Sequence, residues 1–359
     1  MTKIVLPGLI DPHVHLRDPE QTHKEDFYSG TMAAIAGGFT TVLDMPNNKI
    51  PITTLKVLKE KMKIAKKLAV CDIGFYFGSL GDNLDELASV SQTEMAFGLK
   101  LYLERTTGNF LIKKNALARV FSAWRSRVPV QKPILVHAEK DTATSVLRVA
   151  KKIILPVHFC HISTASELKL IIAAKNQGLP VTCGVTPHHL FLTRDDVKTL
   201  GPFGKIRPPL RSKKDVTFLW KNLKWIDVIE SDHAPHTIEE KKSKVPPYGV
   251  PGLETTLPLL LTAVSEKRLT IDDIIRLCFK NPSKIFGIFG DKKTKIEINL
   301  SKSYRINPKS LFTKCAWSPF DGWKVKGKVE KVTLRGIKVF QDGKILVRPG
   351  FGKIIKPRK

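Results

Sequence analysis

The chain has 359 residues, 60 Lys+Arg against 33 Asp+Glu, a formal net charge of +27, and 42% apolar residues. This excludes a largely disordered polymer and gives enough chain for two average domains or for one long α/β barrel with additions. Net charge alone speaks to solubility and encounter rates, not to fold.

From residue 8 to about 290, short β-rich apolar runs alternate with amphipathic segments of helical period, the pattern of repeated βα units. Eight runs read as strands: 8–16, 39–45, 70–77, 97–103, 133–138, 157–162, 181–185 and 226–231. Helices are predicted between them at 24–36, 53–68, 115–126, 141–152, 165–177, 213–222, 253–265 and 271–279. Eight parallel strands with intervening helices close most naturally into a (β/α)8, TIM-like barrel, an α/β fold. From about 291 the texture changes to short alternating strands and turns, with Asp342-Gly343 as a hairpin signal. The expected organisation is a catalytic barrel over 7–290 and a small β-rich appendage over 291–359, to which residues 1–6 add a strand.

Barrel enzymes place their chemistry at the C-terminal ends of the strands, so the last residues of each run are read together. The first run ends in His13-Val14-His15, and period two puts both imidazoles on one side. The fifth ends in His137, the sixth in His161, and the eighth in Asp232, followed by His233 and His236. Four histidines and a carboxylate at one end of four strands are hard to explain as packing, and they suit zinc or a similar first-row metal. Lys100 lies in the fourth run; as an ammonium it offers donors only and cannot ligate a metal. Arg17, two residues past His15, should face the same mouth, where a guanidinium suits a substrate carboxylate.

The segments Gly8–Arg17, Met45-Pro46-Asn47, Gly98-Leu99-Lys100, Val136–Glu139, Cys160-His161-Ile162 and Ser231–His236 resemble the dihydroorotase branch of the amidohydrolase superfamily. Thr22–Phe27, Thr186–Leu192 and Pro251–Thr255 add particular similarity to the dihydroorotase domain of the animal multifunctional pyrimidine-synthesis protein. The resemblance covers nearly the whole chain in order, and it implies a barrel with a binuclear zinc centre. Carried over residue by residue, it makes His13, His15 and Asp232 ligands of one Zn2+, and His137 and His161 ligands of the other. Carbamylated Lys100 and a water or hydroxide would bridge the two ions. It makes Asp232 the proton shuttle, Arg17, Asn47 and Arg207 the carboxylate-binding positions, and His236 a substrate contact. Thr106 matches the threonine of a substrate-closing loop over 104–110, and the backbone at Pro251 and Gly252 is expected to contact the ring.

Two departures stand out. Thr107 replaces an aromatic residue of the animal relatives, with Phe110 as a candidate substitute, and Gly184 replaces an acidic one. Cys160 is expected on the opposite strand face from His161 as a buried thiol.

The implied activity is reversible cyclisation of N-carbamoyl-L-aspartate to L-dihydroorotate in pyrimidine (UMP) biosynthesis. Related cyclic amidohydrolases, allantoinase or dihydropyrimidinase, share the metal motif but act on uncharged rings, which would not need Arg17 and Arg207. A third reading is a non-catalytic dihydroorotase-like scaffold for aspartate carbamoyltransferase. A homodimer, with or without a carbamoyltransferase complex, is the expected assembly. Lysines are dispersed without interleaved aromatics, and only Lys353–Lys359 is a basic cluster, so no nucleic-acid partner is expected. The longest apolar runs, such as Leu257–Leu261, fall short of the ~18 residues of a membrane span, and the start has no signal-peptide pattern. Five cysteines without a C-x-x-C pair favour a reducing, cytoplasmic setting.

Overall fold

The computed structural model describes residues 3–106, 108, 110–125 and 132–358. An antiparallel sheet and a parallel barrel make up the chain. The first strand, β1 (Lys3–Pro7), belongs to the antiparallel sheet. The barrel follows as β2 (Leu9–Val14), β3 (Phe39–Asp44), β4 (Asp72–Phe75), β5 (Phe77–Gly78), β6 (Leu99–Tyr102), β7 (Ile134–His137), β8 (Val157–Phe159), β9 (Val181–Val185) and β10 (Val228–Ile229).

β2, β3 and β4 pair in parallel, as do β5 through β10 in order. β4 and β5 are two halves of the predicted third strand, interrupted only at Tyr76. A parallel bridge between Val14 and His233, with the His15 amide donating to the His233 carbonyl at 2.8 Å, joins the last strand to the first. The runs are buried almost throughout, as strands covered on both faces must be. Truncating one core residue such as Leu99 to Ala would cost about 2–5 kcal/mol.

The helices wrap the barrel. Helix Leu55–Leu68 shows how the sequence specifies one: Thr54 caps its start by accepting from the Val57 amide, and Lys66 and Lys67 complement its C-terminal dipole. It buries Leu58, Lys61 and Ala65, with Lys61 paired to Asp44 at 2.7 Å. Helix Ala165–Asn176 opens on a Thr164–Glu167 capping box. Helix Leu84–Ser91 was not predicted, nor were the short helices Pro187–Phe191, Val197–Leu200, Ile238–Lys241 and Asn281–Phe286.

The second sheet has the order β1, β11 (Lys295–Arg305), β12 (Lys324–Leu334), β13 (Ile337–Gln341), β14 (Lys344–Ile345), all antiparallel. Asp342 and Gly343 both have positive φ (49° and 84°) in the turn between β13 and β14, the conformation an Asp-Gly hairpin demands. The basic C-terminal segment is built into the fold: Ile73 donates to Lys353 O and Ile355 donates to Ile73 O, both at 2.9 Å. Arg358 stacks on Phe289 at 4.0 Å. Among the described residues, no helix is long and apolar enough to cross a membrane.

Candidate metal centre and substrate cavity

At the C-terminal mouth of the barrel a cavity is lined by His13, His15, His137, His161 and Asp232, together with Arg17, Asn47, Arg207, Tyr102 and Thr106. Ala234, Tyr248 and Gly249 complete its described lining. His13 lies in β2 and His137 ends β7, so the strands themselves aim these rings. His161, Asp232 and Arg17 instead follow their strands with φ of 39°, 45° and 65°. Left-handed backbone costs a non-glycine residue on the order of 1–3 kcal/mol, and its concentration at a mouth is typical of functional sites.

Asp232 Oδ1 lies 3.0 Å from His15 Nε2 and 3.4 Å from His13 Nε2. One ligand atom from each of these three residues falls within a 4.8 Å cluster. On the other side, His137 Nδ1 is 3.1 Å from His161 Nε2, while His137 Nε2 and His161 Nδ1 are buried without partners. Burial pushes His13 down to about 4, with Lys100 adding to the effect. Burial likewise holds His15, His137 and His161 well below the usual histidine value. These imidazoles are neutral at pH 7, the form that binds a cation.

Lys100 is fully buried on β6. Its Nζ contacts Cys160 Sγ at 3.0 Å and the Tyr102 ring at 4.8 Å, and among the described residues no carboxylate pairs with it. A bare ammonium so placed, beside several imidazoles, is an unfavourable arrangement.

The carboxylate-binding candidates also come together. Arg17 donates from Nε to Pro235 O at 3.0 Å. Asn47 Oδ1 lies 2.7 Å from His15 Nδ1, so Asn47 orients a histidine as well as lining the cavity. Arg207 stacks on Tyr248 at 5.1 Å, and its Nε is buried without a hydrogen-bond partner.

Three predicted contacts stand elsewhere. His236 lies behind Arg17, its Nε2 3.1 Å from the guanidinium, and is not among the described lining. Pro251 and Gly252 line a neighbouring pocket with His233 and Glu254, and the Gly252 amide donates to His233 Nδ1 at 3.1 Å. Thr107 lies outside the described residues, and Phe110 is buried against Tyr102 at 5.3 Å.

Cys160 corrects the strand-alternation argument. β8 ends at Phe159, so period two no longer holds, and the thiol joins His13 and His161 within 4.8 Å. Burial raises it to about 12, so it stays protonated.

The sequence reading missed Glu230 and Asp11. Glu230, fully buried, lies 3.3 Å from His13 Nδ1 and accepts from the His161 amide. It needs the space that Gly184 leaves on neighbouring β9: a Cβ there would sit 2.4 Å from Glu230 Oε1. The Gly184 departure was the available signal. Asp11 accepts from the Ser231 and His13 amides, tying the first and last strands together, and burial raises it to about 7.

Comparison with known proteins agrees with this geometry. The amidohydrolase family model matches residues 4–183. The chain is 47% identical over 98% of its length to the multifunctional protein CAD of Squalus acanthias, and 40% identical over 99% to the multifunctional protein pyr1-3 of Dictyostelium discoideum. It spans only 16% of the length of each of these two relatives. It is 40% identical to the dihydroorotase of Pyrococcus furiosus, covering 99% of this chain and 86% of that one. Among solved structures, L-hydantoinase from Arthrobacter aurescens superimposes with a TM-score of 0.92 at 27% identity, over 99% of this chain and 89% of that one. The inactive dihydroorotase-like domain of a Chaetomium thermophilum CAD-like protein gives 0.84 at 28%, over 99% and 100%. The chain therefore belongs to the amidohydrolase family, among its dihydroorotases.

Proposed function

We propose that this protein is a zinc-dependent dihydroorotase that interconverts N-carbamoyl-L-aspartate and L-dihydroorotate. The observation that carries the reading is a single cavity lined both by a cation-ready cluster and by two arginines, Arg17 and Arg207. The donor set fits two zinc ions: His13, His15 and Asp232 would hold one, His137 and His161 the other, and a carbamylated Lys100 with a water or hydroxide would serve both. Buried neutral imidazoles with unpartnered nitrogens, and a buried lysine without a counter-charge, support that assignment. When bound, such a pair supplies an activated water and polarises the amide carbonyl.

The protein's own groups do the rest. Arg17, Arg207 and Asn47 hold the ring carboxylate and fix the orientation of the scissile amide. Burial raises Asp232 above the ordinary carboxylate value, which suits a group that takes the proton from the attacking water and returns it to the departing ring nitrogen. Closure of the ring reverses those roles. Thr106 lines the cavity, where the family resemblance makes it a substrate contact.

Residues 7–290 form the catalytic unit in this reading, with 291–359 and 1–6 as its appendage. A homodimer in the cytoplasm, with or without a carbamoyltransferase partner, is the proposed setting; the five cysteines are free and buried, as a reducing compartment would keep them. The likeness to an inactive domain raises the scaffold alternative, and the presence here of His13, His15, His137, His161 and Asp232 around one cavity argues against it. The test is turnover of L-dihydroorotate, dihydrouracil and allantoin side by side. Activity on dihydroorotate alone is expected, and preference for an uncharged ring would move the protein to a sibling hydrolase.

A further inference from the structure

Lys241 ends the short helix Ile238–Lys241, nine residues after Asp232. It is fully buried, and among the described residues no carboxylate pairs with it. Its Nζ instead donates to three backbone carbonyls: Lys205 at 3.0 Å, Pro247 at 3.0 Å and Gly249 at 3.1 Å. An ammonium has three N–H donors, so all are used. The Gly249 amide donates to the same Lys205 carbonyl at 3.1 Å, and the ring of Trp317, 5.4 Å away, packs beside the ammonium.

The two segments tied together are those that shape the carboxylate side of the cavity. Arg207 follows Lys205 by two residues. Tyr248 sits between Pro247 and Gly249, with its ring 5.1 Å from the Arg207 guanidinium. The Tyr248 carbonyl lies 2.9 Å from His236 Nε2, the same nitrogen that faces Arg17. Burying an ammonium without a counter-charge is costly, and an apolar side chain could fill the space beside Trp317 without that cost. An apolar side chain could not hold two loops by three carbonyls.

We infer that Lys241 is a positioning residue for substrate recognition: it clamps the Arg207 loop to the Tyr248–Gly249 turn and so sets the separation at which Arg17 and Arg207 share one carboxylate. The inference rests on the proposed function. Burial, reinforced by Lys205, pushes Lys241 down to about 7. The charged groups on the segments around it are Lys205 and Arg207 on the facing loop and His236, Glu239, Glu240, Lys242 and Lys244 on its own segment, while the appendage presents the Trp317 ring. Below that pH all three donors are present. Above it a neutral amine has two N–H groups for three carbonyls, so the clamp weakens as pH rises.

The test compares wild type with Lys241→Met and Lys241→Arg, each zinc-loaded and checked for folding by circular dichroism. Arginine keeps the charge but cannot converge three donors on these carbonyls. Either variant should raise KM for dihydroorotate about tenfold with kcat within about twofold, as loss of uniform binding requires. Each should weaken orotate binding measured by calorimetry and speed hydrogen exchange at the Gly249 amide. The wild-type KM should rise above pH 7, and Lys241→Met should lose that dependence. A folded variant with wild-type KM and wild-type Gly249 protection overturns the inference. So does a fall in kcat that simply follows thermal stability. If wild type neither turns over dihydroorotate nor binds orotate, the proposed function fails instead, and Gly249 exchange still decides whether the clamp exists.

Discussion

Replacing Gly184 by alanine tests whether Glu230 orients the metal-directed histidines. The added Cβ would lie 2.4 Å from Glu230 Oε1 and 2.6 Å from its Cδ, so the carboxylate must retreat by roughly 1 Å to reach ordinary contact. Both strands are buried here, and Gly184 stands beside Val228 in the parallel pairing, which leaves little room for the backbone to yield. Retreat takes Oε2 off His13 Nδ1 and Oε1 off the His161 amide. Overpacking of this kind costs about 1–3 kcal/mol, and loosening two charge-assisted hydrogen bonds brings the expected loss of unfolding free energy to about 2–4 kcal/mol. Zinc affinity should fall about 10- to 100-fold, the usual effect of losing a group behind a ligand histidine. The assay is urea unfolding plus competitive zinc binding on Gly184→Ala, Glu230→Ala and the double variant. Deleting the carboxylate gives the new methyl its space, so the double variant should be milder than the sum by at least about 1 kcal/mol. Strictly additive costs, or a Gly184→Ala protein with wild-type stability and zinc affinity, would refute the coupling.

Asp232→Asn removes a ligand and the proton carrier together, and kcat should drop by at least about 10²- to 10⁴-fold, measured by initial rates in both directions; substantial residual turnover would overturn its role. Arg17→Met should lower kcat/KM for dihydroorotate about 10- to 100-fold, the worth of a charged hydrogen bond to a carboxylate, while an unchanged value would remove the argument for a carboxylate-bearing substrate. The metal-free protein should lose stability as pH falls from 7 to 5.5, read as a falling urea midpoint. The unfolded chain takes up protons at histidines that burial keeps neutral when folded: His13 and His189 at about 4, His236 at about 3, and His15, His137, His161 and His188 well below the usual histidine value. Each fully titrating group contributes about 1.4 kcal/mol per pH unit. Asp11 and Glu254, raised by burial to about 7 and 8, act in the opposite sense but are outnumbered. A flat or rising midpoint would contradict this assignment of neutral histidines.

The barrel was legible because its strands are buried on both faces and punctuated by amphipathic helices, and Val181–Val185 and Leu253–Ser265 were readable to the residue. The sheet strands beyond residue 290 were harder. β12 reads as two strands because Glu330 and Lys331 interrupt its apolar alternation, yet pairing with β11 and β13 carries it through. Helix Leu84–Ser91 is short, and Asn83 gives it no side-chain cap, so its signal was weak. Five of the metal-directed residues were legible because strand ends gather them, whereas Lys100, inside β6, was read as a ligand only through the family resemblance. Groups behind them were harder to read: Glu230 and Lys241 make buried contacts between segments distant in sequence, and only the glycine at 184 hinted at Glu230. Cys160 was misplaced because alternation holds only within a strand, and β8 stops one residue before it.

The most direct measurement is a zinc titration of chelator-stripped protein in the presence and absence of bicarbonate, following dihydroorotate turnover and bound metal together. Activity that vanishes on stripping and returns at two zinc ions per chain, with bicarbonate speeding recovery, is the expected result. Turnover that survives stripping, or two bound zinc ions with no turnover of dihydroorotate, would contradict a binuclear dihydroorotase.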